Sequence, residues 1–311
     1  MRGLIAVTDH EWFEYLASIA PVDEVNFWRP SDTRTPRQLE VGTPVLFKLR
    51  KRFGGWIVGY GLFANHDVFP AWLAWDNFDV KNGAKTFAEM RARIERLRSD
   101  APEASQSVAG DYQIGCLMLA EPVFFSREDW VKPPADWPEN AVQGKTYDLA
   151  SGEGARVWSE CLDRSRSERG RLLGSALRDR RGPPTLIQPR LGQGIFRSEV
   201  IAAYGRACAV TQEHSLPALE AAHIKPFAGD GEHHVSNGLL LRSDIHRLFD
   251  KGYVGVDRDM RFLVSGRLKD DFENGRSYYP LHGKSITVPS RLEHRPDPAN
   301  LRWHLESCYR Q

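Results

Sequence analysis

The sequence predicts an α+β protein of two domains, and three features lead to that fold class. Residues 1–135 alternate strand-like apolar runs with an amphipathic helix, which is typical of a small β-barrel with helices. Residues 219–250 predict a short hairpin followed by a helix. A basic stretch between them contains Gly182-Pro183-Pro184, the composition expected of a linker. We therefore predict domains at 1–135 and 186–311, joined at 136–185 by a basic linker that includes a helix.

The elements of the first region follow from its apolar pattern. Residues 44–49 and 55–63 are rich in β-branched and aromatic side chains, which predicts two adjacent strands. Further strands are expected at 114–119 and 122–125. Apolar residues recur at helical spacing within 86–98, which predicts an amphipathic helix formed around Phe87, Met90, Ile94 and Leu97. Strands around a helix, with a glycine-rich strand that can cross them, favour the small barrel.

The second region also resolves into short elements. A helix is predicted at 198–204, where Val200, Ile201 and Tyr204 share one face. The alternation at 253–256 and 260–264 predicts a second hairpin that turns at 257–259. The C-terminal segment 298–309 is expected to be helical, because Pro298 suits the first turn of a helix.

The composition fits two ordinary hydrophobic cores. The chain has 311 residues, of which 41% are hydrophobic and 27% are charged. The sequence shows neither a signal peptide nor a long apolar run, so we expect a cytoplasmic protein that does not bind membranes. No two cysteines have Cys-x-x-Cys spacing, so we expect no structural zinc and no disulfide framework from Cys116, Cys161, Cys208 and Cys308. Cys208 is interpreted as a small buried residue.

Positive charge is concentrated in one stretch. The formal net charge is only +1, but residues 164–190 contain eight arginines (164, 166, 169, 171, 178, 180, 181 and 190) against Glu168 and Asp179. Such a run can neutralise phosphates. It can equally be a solvated linker, and a basic linker between two DNA-binding domains would do both.

The segment 208–250 carries the most specific pattern in the chain. His223 ends an apolar strand, Asn237-Gly238 follows a polar loop, and His246 lies in a helical segment. Cys208 and Thr211 precede them, Pro226 follows His223, and the block 244–250 surrounds His246. This pattern resembles the HNH endonuclease family, whose ββα-metal fold cuts phosphodiester bonds. Residues 190–197 also resemble the lead-in of a restriction-type HNH subgroup.

Alone, each of these three residues would more often be structural than catalytic. Together, the resemblance implies that His223, Asn237 and His246 form a catalytic site. An imidazole titrates near neutral pH, so His223 is expected to be the general base. His246 is expected to bind a divalent metal, Mg²⁺ or Mn²⁺. Asn237 cannot titrate, so we expect its amide to hold the loop that carries the base.

One departure from the family pattern concerns the metal. Many members have an acidic residue or a histidine directly before the catalytic histidine, where this chain has Ala222. Alternate residues of a strand share a face, so Glu220 is a candidate replacement ligand, or else a surface charge. His233 and His234 are expected to be solvated or near phosphate. The residues predicted to contact the DNA backbone are Arg190, Arg197, Lys225 and Arg247.

The first region resembles the PUA-like superfamily, which includes the EVE, YTH and SRA domains. The resemblance lies in residues 27–31, 41–49, 54–63 and 122–125. Several members bind nucleic acid with a modified base flipped out of the stack, which requires aromatic walls and polar groups. Aromatic residues in loop-like contexts, with polar neighbours, are therefore expected to bind the modified base: Trp28, Arg29, Ser31, Asp32 and Trp75, with Trp72 and Phe78 as further candidates.

Three functions are compatible with these patterns. The first is a modification-dependent restriction endonuclease that acts on double-stranded DNA. The second is an HNH nuclease of toxin, mobile-element or repair context, whose N-terminal domain binds RNA or a protein partner. The third is a DNA-binding protein with a decayed nuclease fold, which Ala222 favours and the intact His223, Asn237 and His246 oppose. Double-strand cutting by one HNH site per chain favours a homodimer, or two molecules that meet on DNA.

Overall fold

The computed structural model describes residues 1–30, 39–98, 110–138, 141, 144–173, 192–226, 233–273 and 275–311, without the side chains of 167–173. The chain divides into two compact units, Met1–Ile195 and Phe196–Gln311. Within the described ranges, no helix is both long enough and apolar enough to cross a membrane.

The described part of the first unit contains one mixed sheet. Its strands are β1 (Arg2–Thr8), β2 (Glu24–Arg29), β3 (Pro44–Leu49), β4 (Ile57–Pro70), β5 (Gln113–Phe124) and β6 (Gly144–Asp148). Their order across the sheet is β2-β5-β4-β3-β1-β6. β1 and β3 are parallel, and the other neighbouring pairs are antiparallel. The unit's helices are α1 (His10–Ile19), α2 (Ala71–Phe78), α3 (Phe87–Leu97) and α4 (Gly152–Leu173).

The predicted barrel is wrong for the strands described. β2 and β6 lie at opposite edges of the sheet and do not pair with each other. Helices cover both faces instead. On one face the ring of Trp12, from α1, packs 5.3 Å from that of Phe47. On the other face Trp158, from α4, packs 5.0 Å from Tyr60. A sheet covered on both faces buries its apolar side chains without closing.

Several predicted elements of this unit are confirmed. β3 has the predicted bounds, and the strand predicted at 55–63 is found as β4, which begins two residues later, at Ile57. α3 begins after the capping residue Thr86, which accepts a hydrogen bond from the Glu89 N–H. The two strands predicted at 114–119 and 122–125 are one strand, β5. Pro122 does not end β5. The pairing register between β5 and β4 shifts at this point, so the sheet does not need the backbone N–H that proline lacks.

Residues of the predicted linker lie in the first unit. β6 pairs with β1, from Arg2 opposite Asp148 to Ala6 opposite Gly144. Val157, Trp158 and Cys161 of α4 are buried in a cluster with residues of the sheet such as Leu46. The compact unit therefore includes elements C-terminal to residue 135.

The second unit packs two hairpins and several helices around one core. Its elements are the C-terminal part of α5 (Gln193–Ala203), β7 (Leu219–His223), β8 (Gly238–Arg242), α6 (Ser243–Asp250), β9 (Val254–Val256), β10 (Phe262–Val264), α7 (Arg267–Phe272) and α8 (Pro298–Ser307). The predicted hairpin-plus-helix is confirmed as β7, β8 and α6, and the second hairpin as β9 and β10. The helix predicted at 198–204 begins five residues earlier, at Gln193. The predicted C-terminal helix is α8, capped by Asp297.

Candidate active site

The hairpin of β7 and β8 places His223 opposite Gly238. Gly238 is required there for packing rather than for backbone conformation. A Cβ atom at this position would lie 2.5 Å from a methyl group of Val200 and 3.0 Å from the ring of Phe196. The missing side chain lets α5 approach the hairpin closely, so that the ring of Phe196 stacks on His223 with centroids 4.0 Å apart and an angle of 14° between the ring planes.

Asn237 fixes the chain immediately after His223. Its side-chain Oδ1 accepts a hydrogen bond from the Lys225 N–H, and its Nδ2 donates one to the Lys225 carbonyl, both at 2.9 Å. The backbone N–H of Ile224 donates to the carbonyl of Asn237, also at 2.9 Å. Asn237 is only 2% exposed, so replacing it would leave polar groups of this loop buried and unpaired, at a cost of about 1–3 kcal/mol each.

His223 is half-buried and next to a second histidine. Its Nε2 lies 3.0 Å from Nδ1 of His233, and which nitrogen donates depends on the tautomers of the two rings. Burial lowers the pKa of His223 to about 4, with further lowering by His233 and His246 and an opposing effect of Asp250. His223 is therefore neutral at pH 7, the state in which an imidazole can accept a proton.

His246 and Glu220 are brought together across α6 and β7. Nδ1 of His246 lies 2.6 Å from Oε2 of Glu220, and its Nε2 lies 3.4 Å from Oδ2 of Asp250. Burial alone would lower the pKa of His246. Hydrogen bonds and charge from Asp250 and Glu220 outweigh it, so the net pKa is raised. The two histidines of the motif thus have opposite electrostatic environments.

Glu220 and His246 are also the two residues of this site that could hold a divalent cation. Among the described residues there is no ready-made group of three or more His, Cys, Asp or Glu side chains that could hold a metal. Mg²⁺ and Mn²⁺ do not require one, because they keep several waters and bind through few protein ligands and substrate phosphates. The Glu220 carboxylate and the His246 imidazole fit such a water-rich site. Ala222 is fully buried in the core and contributes packing only.

The residues predicted to contact the DNA backbone are distributed around this site. Arg247 is exposed on α6, and Arg197 is half-buried on α5. Lys225 follows the catalytic strand, with its ammonium 6.0 Å from the centroid of the Trp303 ring. Arg190 lies outside the described residues.

The structure does not support Trp28 as a surface for a base. The expectation of a loop is wrong, because Trp28 lies in β2 opposite Cys116. It is 7% exposed, and its indole N–H donates to the Asn82 carbonyl at 2.9 Å. Arg29 is the last residue of the same strand. Ser31 and Asp32 lie outside the described residues.

The remaining aromatic candidates of the first unit lie in α2 rather than in a loop. Trp72 and Trp75 are half-buried, and the ring of Trp75 lies 6.2 Å from that of Phe87. Phe78 is 1% exposed and belongs to the core.

Sequence reasoning missed two neighbours of His223. Phe196 was part of the lead-in segment, but its stacking depends on how α5 packs on the hairpin. The sequence predicts that His233 is solvated or near phosphate. In the structure its Nδ1 lies 3.0 Å from Nε2 of His223. The signal available was a pair of histidines, 233 and 234, in the loop between the two strands.

Comparisons with known proteins agree with this site. The family model described as HNH endonuclease matches residues 208–257, which include β7, β8, α6 and all three motif residues. No curated protein matches the sequence. Among solved structures, the chain is similar to "Modification dependent TagI restriction endonuclease", at 15% identity over 92% of this chain and 76% of that chain, with a TM-score of 0.26. That score is too low to carry an argument. The family match, together with the geometry, shows that residues 208–257 are an HNH endonuclease domain and that the chain is a nuclease.

Proposed function

We propose that this nuclease is a modification-dependent restriction endonuclease that cuts double-stranded DNA with the help of one divalent metal. The observation that carries the catalytic part is the position of neutral His223, held by the Asn237 clamp, in the same hairpin-and-helix unit as the Glu220–His246 pair. Phosphodiester hydrolysis needs a general base and a set of metal ligands held on adjacent rigid elements.

In this proposal His223 accepts the proton of the attacking water. Its lowered pKa keeps the ring neutral above about pH 5, so the acceptor is available throughout the neutral range. Asn237 contributes no proton and instead keeps His223 in place through its two hydrogen bonds to Lys225. Phe196 stacks on one face of the ring and so helps to fix its orientation, while the lone pair that accepts the proton lies in the ring plane.

Glu220 and His246 are the residues that would hold the metal. A bound divalent cation supplies positive charge to the phosphate oxygens and to the leaving oxygen. Arg247 is exposed on the same helix as His246, so it can contact the flanking phosphates. Lys225, whose backbone is held by Asn237, is proposed to do so directly beside the base, and Arg197 and Arg190 to do so on the lead-in segment.

The first unit is proposed to read the modified base. The support is the PUA-like pattern in residues 27–63 and 122–125, together with a separate compact unit that contains no part of the HNH motif. A single HNH site cuts one strand at a time, so double-strand cleavage by a homodimer, or by two molecules that meet on DNA, is part of the proposal. Because the described sheet of the first unit is open, the proposed recognition of the modified base does not depend on a closed barrel.

The test is digestion of one plasmid prepared with and without cytosine or adenine modification, in Mg²⁺ and in Mn²⁺. We expect the modified plasmid alone to be cut, and His223→Ala to abolish the cutting. His214→Ala is the matched control, because His214 is an exposed histidine in the same matched segment and lies outside the site. Equal digestion of all plasmids would leave the nuclease and remove modification dependence. It would favour a toxin, mobile-element or repair nuclease.

A further inference from the structure

The first unit contains a large cleft that the catalytic site does not use. It encloses ≈ 1010 Å³, at the upper end of the range for ligand pockets. Three segments surround it: one side of α1 from His10 to Ser18, the loop between β3 and β4, and the chain that follows β5. Its aromatic lining consists of Phe13, Phe53, Trp56, Phe125 and Trp130. Aromatic walls around a space of this size are suited to a flat ligand.

The aromatic walls are held in fixed positions. Trp130 donates its indole N–H to the Phe125 carbonyl at 3.2 Å. Its ring meets the ring of Phe13 edge to face, with centroids 6.0 Å apart. His10 stacks on Phe53 with centroids 4.2 Å apart and planes at 17°. Phe13 and Phe125 are buried and form the floor, whereas Phe53, Trp56 and Trp130 are half-buried and form the walls.

Gly54 shapes the loop that carries two of these walls. Its φ is +86°, in the left-handed region that favours glycine. A Cβ atom at this position would lie 2.6 Å from the Trp56 ring. The sequence Phe53-Gly54-Gly55-Trp56 therefore lets the chain turn tightly while both aromatic rings reach the cleft.

Charges around the cleft distinguish between ligand classes. Arg52 and Arg127 are exposed and lie over aromatic walls, 4.8 Å from the Phe53 centroid and 5.9 Å from the Trp130 centroid. The lining also includes two carboxylates, Glu14 and Glu128. Carboxylates repel a bare phosphate, but they accept hydrogen bonds from amino groups at the edge of a base. Arginines above the aromatic walls can bind the phosphates on either side of such a base.

We propose that this cleft holds one nucleobase turned out of the DNA duplex. The inference rests on the proposed function, since it gives the reading step a location. A base in the cleft would stack on Trp56 or Trp130, or on the face of Phe53 away from His10 once Arg52 moves from that ring to a flanking phosphate. Arg127 would bind the phosphate on the other side of the base. The volume exceeds that of an unmodified base, which leaves room for a substituent on the ring. An apolar peptide segment would use the aromatic walls but not the pairing of arginines with carboxylates.

The experiment is a titration of the full-length protein, in EDTA, with labelled duplexes. The duplexes carry one 5-methylcytosine, one 5-hydroxymethylcytosine, one N6-methyladenine or no modification, with 2-aminopurine beside the test base to report its loss from the stack. The test variants are Trp56→Ala, Phe53→Ala and Arg52→Ala. The controls are Tyr15→Ala, a half-buried aromatic of α1 that does not line the cleft, and Arg96→Ala, an exposed arginine of α3.

The wild type should prefer one modified duplex and brighten its 2-aminopurine. Stacking on an aromatic residue is worth about tenfold to a hundredfold in binding, so Trp56→Ala and Phe53→Ala should lose most of that preference and the brightening, but keep affinity for unmodified DNA. Arg52→Ala should weaken binding to every duplex and keep the brightening. Arg52 is exposed, so this variant does not put folding at risk.

Two results would overturn the inference, and they are distinct. If the wild type prefers a modified duplex and both cleft variants keep that preference, the base is read elsewhere and the proposed function survives. If the wild type binds all four duplexes equally and never brightens 2-aminopurine, the modification-dependent function fails, and the cleft is left to a peptide or another partner.

Discussion

The catalytic hairpin and the aromatic cleft are built in opposite ways. The hairpin site takes the proposed base His223, the loop-holding Asn237 and the proposed metal ligands Glu220 and His246 from one continuous stretch, 219–250, where hydrogen bonds of 2.6–3.0 Å fix their side chains. The cleft takes its lining from three segments far apart in the chain and holds them by ring packing. We therefore expect single substitutions in the hairpin site to change the cleavage reaction, and single substitutions in the cleft to change the selectivity of DNA binding.

Removal of the metal should have the largest effect on the hairpin. Excess EDTA should abolish cleavage while DNA binding persists, because the cation provides the charge that the phosphate needs in the transition state. Glu220→Ala and His246→Ala should raise the Mn²⁺ concentration needed for half-maximal cleavage. The measurement is a cleavage rate against metal concentration.

Glu213→Ala is a suitable control for Glu220→Ala, because Glu213 is a half-buried carboxylate in the same domain that accepts a hydrogen bond from the Ser215 N–H instead of contacting His246. Undiminished cleavage in EDTA would contradict a metal-dependent mechanism. If Glu220→Ala behaves like Glu213→Ala, then Glu220 is only a neighbour of His246 and not a ligand.

Loss of the base should rank second. His223→Ala should lower the cleavage rate by about 10²–10⁴-fold, the usual contribution of a general base, with little change in DNA affinity. Single-turnover cleavage and a binding titration separate the two quantities. His214→Ala should cut at the wild-type rate. A His223→Ala protein that also cuts normally would mean that another group activates the water.

The same contrast explains what could be predicted from the sequence. β7, β8 and α6 depend on local strand, turn and helix patterns, so their order and the place of His223, Asn237 and His246 could be predicted. The contacts of Phe196 and His233 with His223 depend on tertiary packing, which no local pattern records. The Glu220–His246 contact could be suggested only because residues two apart in a strand share a face.

The first unit was harder to predict because its decisive contacts are long-range. The polar residues after Trp28 indicate a loop, but pairing of β2 with β5 and the Asn82 carbonyl place Trp28 in the core. The arginine-rich composition of 164–190 indicates a linker. The apolar spacing of Val157, Trp158 and Cys161 just before it was the available signal that α4 covers the sheet.

Trp28 and Trp56 provide a direct test of the core and cleft assignments. Trp28→Ala should lower the free energy of unfolding by about 3–5 kcal/mol, as expected for a buried tryptophan with a satisfied indole N–H. Trp56 is half-buried at the cleft, so Trp56→Ala should cost clearly less. Urea unfolding of the two full-length variants makes the measurement. Equal small losses would show that Trp28 is not a core residue and would return it to the base-binding candidates.

The smallest effect is expected from His233, through the pKa of its neighbour. His223 has a lowered pKa because of burial first, and then because of the positive charge that His233 and His246 can carry, against an opposing effect of Asp250. His233→Ala removes one lowering contribution and keeps the burial, so the pKa of His223 should rise from about 4 toward its ordinary value. A base must be unprotonated, so the acid limb of the pH–rate profile should move to higher pH, while the rate at pH 8, where the ring is neutral in both proteins, should stay close to that of the wild type. His234→Ala is the matched control, since His234 is the adjacent, exposed histidine.

If both variants have the wild-type pH–rate profile, His233 does not change the pKa of His223. If His233→Ala lowers the rate equally at every pH, it positions the His223 ring rather than setting its pKa. Either outcome sharpens the comparison with the cleft, where no protonation step is proposed and binding selectivity should not follow this pH profile.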